Sequence, residues 1–94
     1  MNIVIWDTDS SRINNIERNL RMAMKQLGIS GRVSSMSEPP LLGRQGLLGK
    51  TPVLEHNGLY WSLSPGEEIH LEQCLSLLTK LRNLEKQKRP EGMS

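Results

Sequence analysis

The chain has 94 residues, enough for one small domain and too few for two. Its single cysteine, Cys74, excludes an intramolecular disulfide and a cysteine-rich zinc site. The net charge of +2 comes from the C-terminal end, because residues 80–94 hold five basic and two acidic side chains. The composition therefore predicts neither a basic face for nucleic acid nor a run of about 20 apolar residues that could cross a membrane.

The first two predicted elements are a buried strand and an amphipathic helix. "NIVIW", residues 2–6, is a short and mostly β-branched apolar run, typical of a strand covered on both faces. The oxygen-bearing side chains of residues 7–10 follow it and can cap a helix, with Ser10 as the expected cap. Apolar residues then recur at spacings of three and four and predict one buried stripe: Ile13, Ile16, Leu20, Ala23, Met24 and Leu27.

The middle of the chain predicts a second strand, a short helix and a hairpin. "ISGRVSSM", residues 29–36, is a weaker strand pattern, and Pro39-Pro40 can start a short helix near residues 41–45. "TPVLEH" and "LYWSL" flank the dipeptide Asn57-Gly58. This dipeptide favours the left-handed geometry of a type I′ turn, so the two runs predict a β-hairpin.

The last predicted element is a leucine-rich helix. In "SPGEE", residues 64–68, Ser64 is the expected N-cap, Pro65 the first helical residue and Glu67 the partner in a capping box. Leucines continue the pattern to Leu84. Residues 85–94 form a basic tail, for which the composition predicts disorder, so the domain is expected to cover residues 1–84.

The predicted order is β-α-β-α-β-β-α, an α/β fold. The first strand, helix and second strand should form a right-handed parallel unit, and the hairpin adds antiparallel strands. The sequence thus predicts a four-stranded mixed sheet flanked by helices. Because the chain enters its first strand with no basic or apolar leader, we expect a cytoplasmic protein.

This order resembles the thioredoxin fold, and is most similar to small thioredoxin- or glutaredoxin-like proteins of the redox-active disulfide type. The similarity extends over residues 2–81 and is carried by "IVIWDTDSSRINNIERNL", "GISGRVSSM", "QGLLGKTPVLEHNGLYW" and "SPGEEIHLEQCLSLL". The resemblance implies that Thr51-Pro52 has a cis peptide bond beside the active site. It also implies that Thr51 offers backbone groups to a bound strand of a partner.

The chain departs from that family at the redox centre. The CxxC motif would fall on Ser10-Ser11-Arg12-Ile13, where neither cysteine is present. A serine hydroxyl cannot perform thiol–disulfide exchange, and Cys74 lies far along the chain. The sequence therefore predicts a redox-inactive member of the thioredoxin-like class.

Three functional hypotheses follow. The first is a non-catalytic module that binds another protein in a groove beside the proline. Its predicted groove residues are Asp9, Ser10, Ser11, Arg12, Lys50, Thr51 and Pro52. The second is an enzyme that binds glutathione or another thiol through Ser10 and Arg12, because a helix N-terminus favours an anion. The third is a structural homodimer joined through the strand edge at Tyr60 and Trp61.

No metal site and no cofactor are predicted. His56 and His70 lack the i,i+4 spacing and the cysteine partner that zinc ligands show, and the acidic residues do not form a calcium-loop pattern.

Overall fold

The computed structural model describes residues 1–88 and contains four strands and three helices in the order β-α-β-α-β-β-α. The strands are β1 (Asn2–Trp6), β2 (Arg32–Met36), β3 (Val53–His56) and β4 (Leu59–Trp61). The helices are α1 (Ser10–Leu27), α2 (Pro39–Arg44) and α3 (Leu71–Lys88). This confirms the predicted α/β class. Helix α3 includes residues 85–88, which the sequence pattern assigns to the tail, while the rest of that tail, residues 89–94, lies outside the described residues.

The four strands form one mixed sheet in the order β2-β1-β3-β4. Strands β1 and β2 are parallel and the hairpin strands β3 and β4 are antiparallel, as predicted. The hairpin joins the sheet through an antiparallel pairing of β3 with β1. Ile5 pairs with Leu54 and Trp6 pairs with Val53. Because neighbouring residues of a strand point to opposite faces, the first pair faces one side of the sheet and the second pair faces the other.

The two faces of the sheet bury two separate apolar clusters. The large cluster lies under α1 and α3 and consists of Ile3, Ile5, Ile13, Ile16, Leu20, Ala23, Met24, Val33, Leu54, Ile69, Cys74, Leu77, Leu78 and Leu81. The small cluster contains residues from α2 and from the loop after it, and consists of Trp6, Leu42, Leu47 and Val53. Most of the buried apolar surface is therefore on one side of the sheet.

Helix α1 begins at Ser10, and its N-cap residue is Asp9 rather than the predicted Ser10. Asp9 has an extended backbone, with φ −91° and ψ 108°, and its carboxylate accepts a hydrogen bond of 3.0 Å from the Arg12 N–H. The side chain of an N-cap residue reaches the amide two or three positions ahead, so the residue before the first turn takes this role. Ser10 becomes an exposed first-turn residue.

The start of α3 differs most from the prediction. The helix begins at Leu71, whereas "SPGEE" forms a turn in which the Glu67 N–H donates to the Ser64 carbonyl at 3.0 Å. Gly66 has φ +82°, which a right-handed helix does not allow. The helix is capped instead by Gln73, whose side chain accepts from the His70 N–H at 2.8 Å.

The hairpin has the predicted turn. Asn57 and Gly58 both have positive φ, 51° and 80°, as a type I′ turn requires. Beyond it, Trp61 is half-buried against the large cluster, and Tyr60 lies on the opposite face with its ring centroid 6.4 Å from that of Trp6. Strand β4 is an edge of the sheet and pairs only with β3.

Candidate functional site

Three segments meet at the end of β1: the start of α1, the loop before β3 and the turn at residues 64–67. The loop contains the cis Thr51–Pro52 peptide bond, with Pro52 buried and Thr51 half-buried. A chain of hydrogen bonds from Asp7 through Arg12 and Gly66 to Thr51 joins all three segments. The structure therefore links two predicted groove residues, Arg12 of α1 and Thr51 of the proline loop, through Gly66.

Asp7 is the central residue of this network, and the sequence pattern predicted no role for it beyond that of a possible helix cap. It directly follows β1 and its side chain is 0% exposed. Its two carboxylate oxygens accept from Arg12 Nε at 2.5 Å and Arg12 Nη2 at 2.7 Å, a bidentate ion pair. The Thr8 N–H also donates to this carboxylate, at 2.8 Å. An acidic residue at the end of a buried strand, five positions before an arginine in a helical first turn, was the available signal.

The hydrogen bonds decide the charge of the pair. Burial alone raises the pKa of Asp7, but hydrogen bonds from Arg12 and from the backbone N–H groups of Thr8 and Asp9 outweigh it, so the pKa lies below its ordinary value. The hydrogen bond to Asp7 raises the pKa of Arg12. Both groups are therefore charged at neutral pH, and Asp7 is not placed to act as a general acid there.

Arg12 serves a second contact besides the ion pair. Its Nη1 donates to the Gly66 carbonyl at 3.0 Å, and only 19% of its side chain is exposed. The guanidinium therefore fixes the 64–67 turn against the start of α1. Its positive charge is already compensated by Asp7, which weakens its attraction for an external anion.

The loop before β3 is held by the residues that follow the hairpin. The Gly66 N–H donates to the Thr51 carbonyl at 2.8 Å, and Ser62 Oγ donates to the Lys50 carbonyl at 2.6 Å. The Thr51 carbonyl therefore already accepts a hydrogen bond within the chain. The Thr51 N–H, by contrast, has no acceptor among the described residues.

The other predicted groove residues lie on the surface. Asp9, Ser10 and Ser11 are exposed at the start of α1, and Lys50 is exposed in the loop. The N–H groups in the first turn of any helix lack intrahelical acceptors, so the backbones of Ser10 and Ser11 can donate outward. The Asp9 carboxylate caps α1 by accepting from the Arg12 N–H. The other groups on this surface are mainly hydrogen-bond donors.

The remaining candidate residues lie elsewhere. Tyr60 and Trp61 belong to the edge strand β4, and Cys74 is fully buried in the large cluster. Burial raises the pKa of the Cys74 thiol to about 12, so the thiolate needed for exchange chemistry is disfavoured. Within residues 1–88 no group of three or more His, Cys, Asp or Glu side chains is arranged to hold a metal ion.

The fold and the site define a small α/β protein with a donor-rich surface at the start of α1. Comparison of the chain with known protein families, with curated proteins and with solved structures finds no match. Among the described helices, none combines the length and the apolar character needed to cross a membrane.

Proposed function

We propose that this chain is a redox-inactive, thioredoxin-like protein that binds an extended segment of another protein. The binding region is the α1–Pro52 surface, which consists of the exposed Asp9, Ser10, Ser11 and Lys50 and the half-buried Thr51, beside the buried Pro52. The parallel β1–α1–β2 unit, the antiparallel hairpin and the position of Thr51-Pro52 directly before β3 support the thioredoxin-like assignment. The presence of serines at the CxxC position supports a binding role rather than dithiol chemistry.

The buried Asp7–Arg12 pair is the observation that carries this proposal. Burying an ion pair contributes little net stability, whereas breaking one is costly, so such a pair serves best to hold a particular geometry. Here it fixes the start of α1 to the 64–67 turn, which in turn fixes Thr51 through Gly66. A surface held in place before binding loses less entropy when a partner arrives.

The exposed groups indicate the chemistry of the partner. The N–H groups of Ser10 and Ser11, the Lys50 ammonium and the half-buried Thr51 N–H are donors, whereas the hydroxyls of Ser10 and Ser11 can donate or accept and the Asp9 carboxylate accepts. The fitting ligand is therefore an extended segment that supplies acceptors: main-chain carbonyls and an acidic side chain. The chain's own thiol takes no part in this binding, because Cys74 is buried in the large cluster.

A selection from a library of displayed random peptides tests this proposal. We expect peptides enriched in Asp or Glu, and we expect Lys50→Glu or Ser11→Glu to weaken their binding about tenfold or more, because each introduces like-charge repulsion. Ser11→Glu should not harm folding, since an acidic residue is favourable in a helical first turn. Arg44→Glu, a matched charge reversal on α2, should leave affinity unchanged.

Two results would contradict the proposal. One is a set of selected peptides whose affinity is the same for the wild type and both surface variants. The other is a set of amide NMR shifts at residues 9–12 on titration with reduced glutathione, with no peptide selected. The second result would support the thiol-binding hypothesis instead.

A further inference from the structure

A second region, on the other side of the molecule from α2, has an exposed apolar strip. We call it the β4–α3 edge and define it by Leu59, Trp61, Leu63, Glu72, Leu77, Lys80 and Leu84. Leu59 is 46% exposed, and Leu63 and Leu84 are each 42% exposed. This region is separate from the α1–Pro52 surface, and nothing in the proposed function depends on it.

The register of the hairpin shows how β4 and α3 lie together. Leu59 is opposite His56, whose Nε2 lies 2.8 Å from Glu85 Oε1 near the end of α3. Two residues further on, Trp61 lines a cleft of about 320 Å³ with Leu77. Strand β4 therefore runs antiparallel to α3, with its apolar side chains directed toward that helix.

Two opposite charges lie along the same cleft. Glu72 and Lys80 are exposed, both line the cleft, and neither forms a salt bridge among the described residues. They are separated by eight residues, about 12 Å of helix and about 80° beyond two full turns, and both border the cleft. If a second α3 packs antiparallel to the first, each Glu72 comes opposite the Lys80 of the other copy.

The strand edge is self-complementary in the same sense. In a two-residue hairpin the residues that flank the turn exchange hydrogen bonds, so the next pair does not. That next pair is Glu55 with Tyr60, and the Tyr60 N–H and C=O therefore point to the open edge. The β4 strand of a second copy, running antiparallel, can accept a hydrogen bond from the Tyr60 N–H and donate one to the Tyr60 C=O.

We infer that the β4–α3 edge is the interface of a twofold symmetric homodimer of this chain. An isologous interface requires a surface that is complementary to itself. The β4–α3 edge is self-complementary in the charges of Glu72 and Lys80 and in the backbone hydrogen-bonding groups of Tyr60. Its exposed apolar residues, Leu59, Leu63 and Leu84, become covered, while Glu72 and Lys80 pair at the rim. The partner at this interface is a second copy of the chain, because an antiparallel second α3 places the Glu72 of each copy opposite the Lys80 of the other.

Sedimentation equilibrium of the full chain provides the test. We expect a mass twice the 10.6 kDa of the chain at micromolar concentrations. Glu72→Lys and Lys80→Glu should each weaken self-association about tenfold or more, because each places like charges across the interface. An equimolar mixture of these two variants should form the dimer again, and so should the doubly swapped chain Glu72→Lys/Lys80→Glu.

The mixture also separates a lost interface from a lost fold. Glu72→Lys removes an acidic residue from the first turn of α3, which weakens the helix slightly, but unfolded variants would not pair when mixed. Glu38→Lys, a reversal of an exposed glutamate before α2, is the matched control and should leave the dimer intact. A wild type that sediments at 10.6 kDa even near millimolar concentration overturns the inference, as does a mixture that stays monomeric.

Discussion

The two faces of the sheet are covered very differently. On one face, α1 and α3, each of 18 residues, bury 14 residues in the large cluster. On the other face, α2 has six residues and the small cluster has four. The small cluster contains Trp6 and Val53, which directly precede Asp7 and follow Pro52. The proposed binding surface thus adjoins the weakly packed face, while stability comes mainly from the other.

Such a division predicts that the two faces open with different free energies. Segments with few buried apolar contacts unfold locally at lower cost than the main core. Five measurements test this difference between the faces, and the first reports the opening of each face most directly.

Labelling of buried cysteines should show the largest contrast. Cys74 lies in the large cluster and is 0% exposed, so its reaction with a thiol reagent should be slowed about a thousandfold or more relative to the unfolded chain, consistent with opening by global unfolding. In a Cys74→Ala background, Leu42→Cys places the thiol in the small cluster. This thiol should react at least about tenfold faster than Cys74. Equal rates would mean that the two faces open together.

Truncation of one leucine on each face should differ in the free energy of unfolding. Leu20 and Leu42 are both 0% exposed. Leu20→Ala leaves a cavity surrounded by two long helices and should cost about 4 kcal/mol, whereas the short α2 can relax around Leu42→Ala, for about 2 kcal/mol. Urea denaturation checks both values. If the costs are equal, the small cluster is packed as rigidly as the large one.

Removal of Arg12 should destabilise the protein by a similar or smaller amount. Arg12→Met keeps most of the side-chain volume but leaves the Asp7 carboxylate buried without its partner, which should cost about 3 kcal/mol at neutral pH. The control is the double variant Asp7→Asn/Arg12→Met, which has no uncompensated charge and should recover part of the loss. A single variant as stable as the wild type would show that the Asp7 carboxylate does not need Arg12 as its partner.

The same variant should weaken the dependence of stability on pH. In the wild type the pKa of Asp7 is lowered on folding from 3.8, so the stabilisation it provides is present above that value and is lost as the pH falls below it. Arg12→Met removes the hydrogen bond and the charge of Arg12, both of which lower the pKa of Asp7, and leaves burial and the backbone N–H groups of Thr8 and Asp9. The pKa of Asp7 in the folded variant should therefore lie above that in the wild type, so stability should rise less with pH. Urea denaturation of both proteins between about pH 3 and pH 7 checks this, and an unchanged pH dependence would show that Arg12 does not keep the carboxylate ionised.

The smallest change in the free energy of unfolding is expected for Glu85, near the end of α3. His56 Nε2 lies 2.8 Å from Glu85 Oε1, and its Nδ1 lies 2.9 Å from the Asn2 carbonyl, which links β1, β3 and α3. Because the Glu85 side chain is 47% exposed, Glu85→Gln should cost less than about 1 kcal/mol. The Lys86→Gln variant, an exposed neighbour, is the control. A cost of several kcal/mol would show that this contact is essential to the position of α3.

Local patterns predicted the elements whose own residues specify them. The apolar stripe of α1 is buried as expected at Ile13, Ile16 and Leu20, and the turn at Asn57-Gly58 has the expected positive φ angles. The start of α3 was predicted wrongly, because "SPGEE" fits a helix cap and a turn equally well by itself. The bonds from Gly66 to Thr51 and Arg12 decide for the turn, and they involve residues 15 and 54 positions away.

Local sequence patterns were enough to predict the α/β class and the order of the strands and helices, and the missing cysteine pair at the start of α1 is visible in the sequence. The role of Arg12 was not predictable in this way: its sequence position made it a groove residue, whereas in the folded chain it pairs with Asp7. The difference comes from the range of the interactions. Periodicity and turn chemistry act within a few residues, whereas burial of Asp7, and with it the need for a partner, arises only when the sheet and helices enclose it.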